Sequence, residues 1–190
     1  MTTAVDPADA APARPRGREA LRAAVLESAA DHFARRGTRA SLREIAADAG
    51  VNLGLIHRHF GNKSDLLQAV LDEQRRAGAD VVDGLSGDRA MDRLLHATVT
   101  SPQHVRTLAW LALDADPELS LSHEYPAIVA MRARVGDDPD AQLRLMAAFT
   151  VIYGWTMFGQ LLLDAFGHDG RERSHLEDRL GALLDRLVTR

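Results

Sequence analysis

The chain has 190 residues, no cysteine, 23 basic and 27 acidic side chains and a formal charge of −4. That length can bury a core as one large or two small domains, and the missing cysteines exclude disulfides, thiolate metal sites and a cysteine nucleophile. The charge is uneven: residues 14–63 balance at +5 and residues 64–190 at −7, with Asp6 and Asp9 supplying the rest, so a basic head sits on an acidic body. Such a distribution fits a protein that offers one end to a polyanion.

Residues 1–17 are rich in Ala and Pro and read as a disordered arm. They lack the basic start and apolar stretch of a signal peptide, which points to the cytoplasm. Within them, Arg14-Pro15-Arg16-Gly17-Arg18 has the character of an arm that follows a minor groove. Glu19 ends the run abruptly, however, and a short basic tail is more often just solvated, which is the reading taken.

A first helix is predicted from about Arg18 to Arg36, with Leu21, Val25, Ala29 and Phe33 inward at four-residue steps and Gly37 as its stop. Leu42, Ile45, Ala46 and Ala49 then make the apolar stripe of a short second helix, ended by Gly50, which is free to take φ > 0. A third helix carries Leu53, Ile56 and Phe60 inward and leaves Gly54, Leu55, His57, Arg58 and His59 wholly or partly outward. Two short helices around a tight turn follow the helix-turn-helix plan, whose second helix lies in the major groove. Gly61 turns the chain, Asn62 caps a fourth helix with Asp65 at the capping-box position, and that helix runs to about Asp83.

Gly84 to Asp88 reads as a break, and further helices are predicted at about 89–100, 102–114, 126–135, 139–166 and 171–188. Pro102, Pro126 and Pro139 suit first-turn positions, with Ser101 and Asp138 as caps. No useful β alternation and no internal repeat occurs, so the body is all-α. Leu145 to Leu163 is free of charge for about a bilayer's span. Thr150, Tyr153, Thr156 and Gln160 interrupt it and no basic cluster flanks it, so it is read as the central helix of a soluble bundle or interface. Leu176, Leu180, Leu183, Leu184 and Leu187 form a seam on the last helix. Together with Gly154, Phe158, Gly159 and Leu162, this seam is assigned to a dimer contact, although both helices could instead close the monomer core.

The blocks Phe33-Ala34-Arg35-Arg36-Gly37, Ser41-Leu42-Arg43-Glu44-Ile45-Ala46, Ala49-Gly50-Val51, Ile56-His57-Arg58-His59-Phe60, Asn62-Lys63 and Leu66-Leu67 occur in order at set spacings. Over Arg18 to Lys63 the chain resembles the DNA-binding domain of the TetR family of bacterial transcriptional regulators. The resemblance implies an all-α fold: a helix-turn-helix domain over 18–64 and a helical effector-binding and dimerisation domain over 65–190. It implies a ligand-responsive regulator, chiefly a repressor, that binds a palindromic operator in double-stranded DNA as a homodimer and is released by a small, largely apolar effector. It implies no enzyme activity, no cofactor, no metal and no membrane.

By the same resemblance, Ser41 caps the second helix and offers its hydroxyl or N–H to a phosphate, and Arg43 reaches a base edge or phosphate. Leu53, Gly54 and Leu55 form the base-facing tip, while His57, Arg58 and His59 contact phosphates or bases. Lys63, the only lysine, matches a phosphate-binding position. His57 stands where most members carry a Tyr that touches the DNA backbone; imidazole is smaller and titrates. The effector pocket is expected among Trp110, Tyr125, Met131, Phe149, Tyr153 and Trp155, with Met157 and Phe158 as further candidates. The alternatives are a metal-responsive sensor on His96, His104, His123, His168 and His175, or a non-specific DNA-binding protein with a small-molecule-binding body. The His spacing lacks a His-x₃-His pair, and no Gly-x-Ser-x-Gly or phosphate-cradling Gly loop supports catalysis.

Overall fold

The computed structural model describes residues 17–83, 89–114 and 125–189. Among them every regular element is helical: α1 (Arg18–Arg36), a 3₁₀ turn (Gly37–Arg39), α2 (Leu42–Asp48), α3 (Leu53–Phe60), α4 (Lys63–Asp83), α5 (Ala90–Thr100), α6 (Gln103–Asp114), α7 (Pro126–Val135), α8 (Pro139–Ala165) and α9 (Arg173–Val188). These bounds lie within about two residues of the sequence expectation. The N-terminal arm through residue 16, the break at 84–88 and His123 lie outside the described residues.

Local chemistry accounts for most of the ends. Asn62 and Asp65 form a reciprocal capping box at the start of α4: the Asn62 N–H donates to Asp65 Oδ2 at 2.9 Å and the Asp65 N–H to Asn62 Oδ1 at 3.0 Å. Asp138 accepts from the Asp140 N–H ahead of α8, and Pro126 and Pro139 occupy first-turn positions. Pro102 instead precedes α6, and Ser101 closes α5 by donating its N–H to Ala97 O at 2.9 Å. Ser41 stands at the N-cap of α2, yet its side chain makes no capping bond. This corrects the expected role: its hydroxyl is free for a phosphate and gives α2 nothing.

Two apolar clusters organise the packing. In the head, Val25, Ala29 and Phe33 of α1 meet Ile45 and Ala46 of α2, Ile56 of α3, Leu66, Leu67 and Val70 of α4, and Leu111 of α6. Phe33, Ile45 and Ile56 are fully buried, which contributes about 2 kcal/mol each. Helices as short as α2 and α3 are not stable alone, so this shared core holds them. In the body, Met91 and Leu95 of α5, Met131 of α7, Leu145, Ala148, Phe149 and Ile152 of α8, and Leu184 of α9 form the second cluster. α5 and α9 approach closely because Gly181 has no side chain: a Cβ there would lie 2.9 Å from Asp92 Cα. Asp185 Oδ1 accepts from the Met91 N–H across the same junction at 2.8 Å.

α8 is long and apolar enough to cross a membrane by length and composition, with 28 % of its most apolar stretch buried in the monomer. One of its faces packs into the body cluster; Phe158, Leu161 and Leu162 on the other remain exposed.

α6 belongs to both halves of the molecule. Leu108 and Leu111 pack in the head cluster, and Trp110 lies across the turn after α1. Gly37 there has φ 56° and ψ −138°, and a Cβ on it would come within 2.9 Å of Trp110 Cβ. Both the backbone and the space demand glycine. Gly37→Ala is therefore expected to destabilise the fold by about 2 kcal/mol, read as a lowered urea midpoint with an unchanged m-value. An unchanged midpoint would show that the turn relaxes without cost.

Candidate nucleic-acid interface and ligand cavity

α3 is oriented by its buried side. Ile56 is wholly enclosed, and Leu53 and Phe60 pack partly against the head cluster, the latter beneath the Arg22 guanidinium at 5.1 Å. Asn52 caps the helix through Oδ1, which accepts from the Leu55 N–H at 2.9 Å. The sequence reading had not singled out that cap, although Asn immediately before an apolar-periodic run is its usual signal. With that face fixed, Gly54, His57 and Arg58 are exposed and Leu55 and His59 partly so. All five thus share the open side on which the sequence placed them, and Ser41 and Arg43 lie on the neighbouring α2 end.

The head's cations divide by what they touch. Arg36 pairs with Glu44, Arg39 stacks on Trp110 at 5.1 Å and Arg22 covers Phe60. Arg43 and Arg58 make no ion pair or hydrogen bond among the described residues. Among the described residues Lys63 donates only to the Thr38 carbonyl, a neutral acceptor that leaves its charge uncompensated. His57 Nδ1 lies 3.0 Å from Gly61 O. A carbonyl only accepts, so Nδ1 carries the proton and Nε2 is the nitrogen turned to solvent. The surface therefore presents unpaired Arg and Lys charges beside a small, neutral helix tip, which suits phosphates flanking base edges.

A cavity of about 610 Å³ lies behind the head, walled by α1, α4, α5, α6, α7 and α8. Much of its lining is apolar, including Ala30, Leu94, Val105, Ile128 and Phe149. Its polar groups include Gln74, Arg75, His104, Tyr125 and Tyr153, with Glu27 and Asp31 of α1 and His96 of α5. Three of the six expected lining residues, Tyr125, Phe149 and Tyr153, are among them. The other three lie elsewhere, which corrects that expectation. Trp110 is taken up by the Gly37 turn and Arg39; Met131 is buried in the body cluster; and Trp155 donates to Glu177 Oε1 at 3.0 Å and packs by Gly159. Met157 and Phe158 face outward on α8. Sequence reasoning weighted aromatic residues and overlooked Gln74 and Arg75. An Arg in the charged run Asp72-Glu73-Gln74-Arg75-Arg76 reads as solvated until the packing of α4 is known.

His104 Nδ1 meets Gln74 Oε1 at 3.1 Å. Burial, and secondarily the nearby Arg75 charge, lowers its pKa to about 4. Burial also raises the Tyr125 and Tyr153 phenols above their usual range.

The face assigned to a dimer contact divides as well. Phe158, Leu162 and Leu183 are 56 %, 41 % and 53 % exposed, whereas Leu184 is 2 % exposed and belongs to the monomer core. That is a correction: the packing of α9 on α5 and α8 turns Leu184 inward. Leu180 and Leu187 also pack partly on the body cluster, and Leu176 is half-buried. Gly154 has open space where a side chain would stand, while Gly159 is covered by Trp155 of its own helix.

Residues 25–70 match the family model described as bacterial regulatory proteins, tetR family. The HTH-type transcriptional repressor Rv3405c of Mycobacterium tuberculosis is 37 % identical over 169 residues, 82 % of each chain. This chain belongs to the TetR family. The HTH-type transcriptional repressor SCO4008 of Streptomyces coelicolor is 34 % identical over 99 residues, 50 % of this chain and 52 % of that one. Among solved structures, a TetR family transcription regulator from Marinobacter aquaeolei VT8 aligns with a TM-score of 0.62 at 17 % identity, covering 88 % of this chain and 94 % of its own. The protein is accordingly a TetR-family transcriptional regulator and not an enzyme.

Two outcomes follow from this geometry. Lys63→Ala is expected to weaken binding to all DNA sequences alike and to reduce the salt slope by about one unit. Arg43→Ala should instead relax sequence preference at one base position, and equal losses on specific and random DNA for both variants would overturn that division. The cavity sets the second. The unfolded chain protonates His104 near pH 6.5, whereas the folded chain resists until about 4. Stability should therefore fall as the pH drops from about 6.5 to about 4, by up to about 3 kcal/mol. Urea titrations of the wild type and His104→Gln across that range check this; parallel pH profiles would refute it.

Proposed function

We propose that this regulator is a repressor that binds a two-fold-symmetric operator as a homodimer and is released when a small effector fills the cavity behind the head. In this reading residues 18–64 serve as the DNA-binding head, and residues 65–190 bind the effector and dimerise in the cytoplasm. Ser41, Arg43, Gly54, Leu55, His57, Arg58, His59 and Lys63 face the DNA, while Leu53 at the tip of α3 packs partly on the head core.

One observation carries the ligand response: α6 runs from the cavity wall to the turn that supports the head. Gln103, His104 and Val105 at the start of α6 line the cavity. Trp110 near its end covers Gly37, and Asp114 accepts from Thr38 Oγ1 at 2.6 Å. Thr38 in turn offers its carbonyl to Lys63. A ligand that displaces the first turn of α6 thus moves the support of the Lys63 contact. Operator and effector then compete by linkage, each lowering affinity for the other by the same factor.

Support for the homodimer comes from the exposed apolar surface of α8 and α9. Phe158, Leu161, Leu162, Phe166 and Leu183 are all exposed in the monomer, and exposed large apolar side chains grouped in this way mark contact surfaces. A two-helix contribution from each copy would bury it in a four-helix bundle, and the resulting two-fold axis matches a palindromic site.

A genomic-fragment binding selection with the purified protein, read at two salt concentrations, tests the reading. Recovery of a short palindrome, bound as a dimer and weakened by salt, is expected. Binding without sequence preference would reduce the head to an electrostatic anchor. Phe158→Glu combined with Leu162→Glu should yield a folded monomer by sedimentation, with operator affinity lowered at least tenfold. A persistent dimer would move the interface elsewhere.

A further inference from the structure

Among the described residues Arg75 is the only Arg or Lys side chain on the wall of the cavity, and it is 11 % exposed. A guanidinium has five N–H donors. Among the described residues the protein accepts from one of them: Nη1 donates to Asp72 Oδ1 at 2.8 Å, while Nε is buried with no acceptor. The guanidinium carbon lies over the Tyr125 ring, 5.9 Å from its centroid. Asp72 is 41 % exposed, so water screens the carboxylate far more than the cation it pairs with. A buried cation short of acceptors is costly to keep, and an arriving oxyanion would supply them.

The surroundings restrict what that oxyanion can be attached to. Ala30, Leu94, Val105, Ile128 and Phe149 offer only apolar contact, and about 610 Å³ is room for a molecule of drug size or smaller. Glu27 and Asp31 of α1 line the same cavity. Asp31 is tied to Gln103 Nε2 at 3.0 Å and to Arg35 at 3.8 Å. These two carboxylates repel any anion with a second or third charge to place, such as a phosphate ester. A single acid group paired with Arg75, on an otherwise uncharged molecule, leaves no second charge for Glu27 and Asp31 to repel.

We propose that the cavity recognises a singly charged organic acid, an apolar ring-sized body carrying one carboxylate or acidic phenol, held by Arg75 with His104 alongside. The regulatory meaning of this rests on the ligand response proposed above; the recognition chemistry rests on the cavity alone. His104 Nδ1 donates to Gln74 Oε1, so in the neutral ring Nε2 is a bare acceptor, and it can bond an acid's oxygen only once it takes up a proton. The titratable and charged groups that share the cavity with it are Arg75 of α4, Glu27 and Asp31 of α1, His96 of α5, Tyr125 before α7 and Tyr153 of α8. Arg75 disfavours a proton on His104, and an anion placed between the two offsets that field. Binding below neutral pH should therefore take up protons.

Isothermal titration of the whole chain with three probes of one shape provides the test: 2-naphthoate, 2-naphthamide and 2-naphthylmethylammonium. At pH 7, naphthoate should bind at least tenfold more tightly than the amide or the ammonium. Arg75→Met should bring naphthoate down to the amide's affinity without changing the amide's, and Arg75→Lys should retain part of the preference. At pH 5.5, in buffers of different ionisation enthalpy, naphthoate binding should take up protons in the wild type and less in His104→Gln. The amide or ammonium binding as tightly as naphthoate would overturn the proposal. So would no binding by any of the three, or a folded Arg75→Met that keeps the preference. No excess uptake over His104→Gln would remove His104 from beside the acid. A parallel operator titration keeps the two readings apart. Tight naphthoate binding that leaves operator affinity unchanged would sink the ligand response and leave acid recognition standing.

Discussion

The contact of Trp110 with the Gly37 turn is the constraint from which the rest of the structure follows. It exists only because residue 37 has no side chain and takes a φ open to glycine. Around it α6 supplies Leu108 and Leu111 to the head cluster while its first turn forms part of the cavity wall. Packed interiors are dense and yield little to compression, so a helix fixed at both ends passes displacement from one to the other. The Thr38–Asp114 and Lys63–Thr38 hydrogen bonds extend that fixed point to the start of α4. Head and body are therefore joined through packed side chains and not merely through a linker.

Electrostatics follow the same division of labour. A local balance of +5 does not by itself make a DNA-binding surface, because half of such charge can be spent inside the fold. Here Arg22, Arg36 and Arg39 are engaged with Phe60, Glu44 and Trp110. Arg43, Arg58 and Lys63 retain uncompensated charge, and they lie on the two short helices and at the start of α4. The charges that hold the head together and those available to a polyanion are thus different residues, and mutating one set should leave the other intact.

The sequence made the helices legible because their caps and periodicity are local. The capping box at Asn62 and Asp65, the proline starts of α7 and α8 and the glycine after α1 each act within a few residues. The outward face of α3 was legible for the same reason: three apolar positions inside eight residues fix which side is buried. The cavity was only half legible, since its lining comes from six helices and depends on how they cross. Trp110, Met131 and Trp155 are as large and apolar as Phe149, and nothing local marks them for the turn, the core and the α9 contact respectively. Leu184, expected in the seam, faces its own core, and Arg75, to which the sequence assigned no role, is a charge that packing buries. In both cases tertiary packing overrode the local pattern.

The same geometry limits how an effector can act in the proposed mechanism. No residue of α2 or α3 lines the cavity; α1, α4 and α6 do. α1 packs against α2, α4 against α3 and α6 along α1, and all three share one apolar cluster with Ile45 and Ile56, the buried anchors of α2 and α3. A ligand in the cavity therefore cannot reach the recognition helix without first moving its supports. Because the anchors are fully buried, the head should travel with those supports as one body and not come apart. In a symmetric dimer such travel changes the distance and angle between two intact α3 helices. Loss of operator affinity would then come from spacing, with each head still able to engage a single half-site.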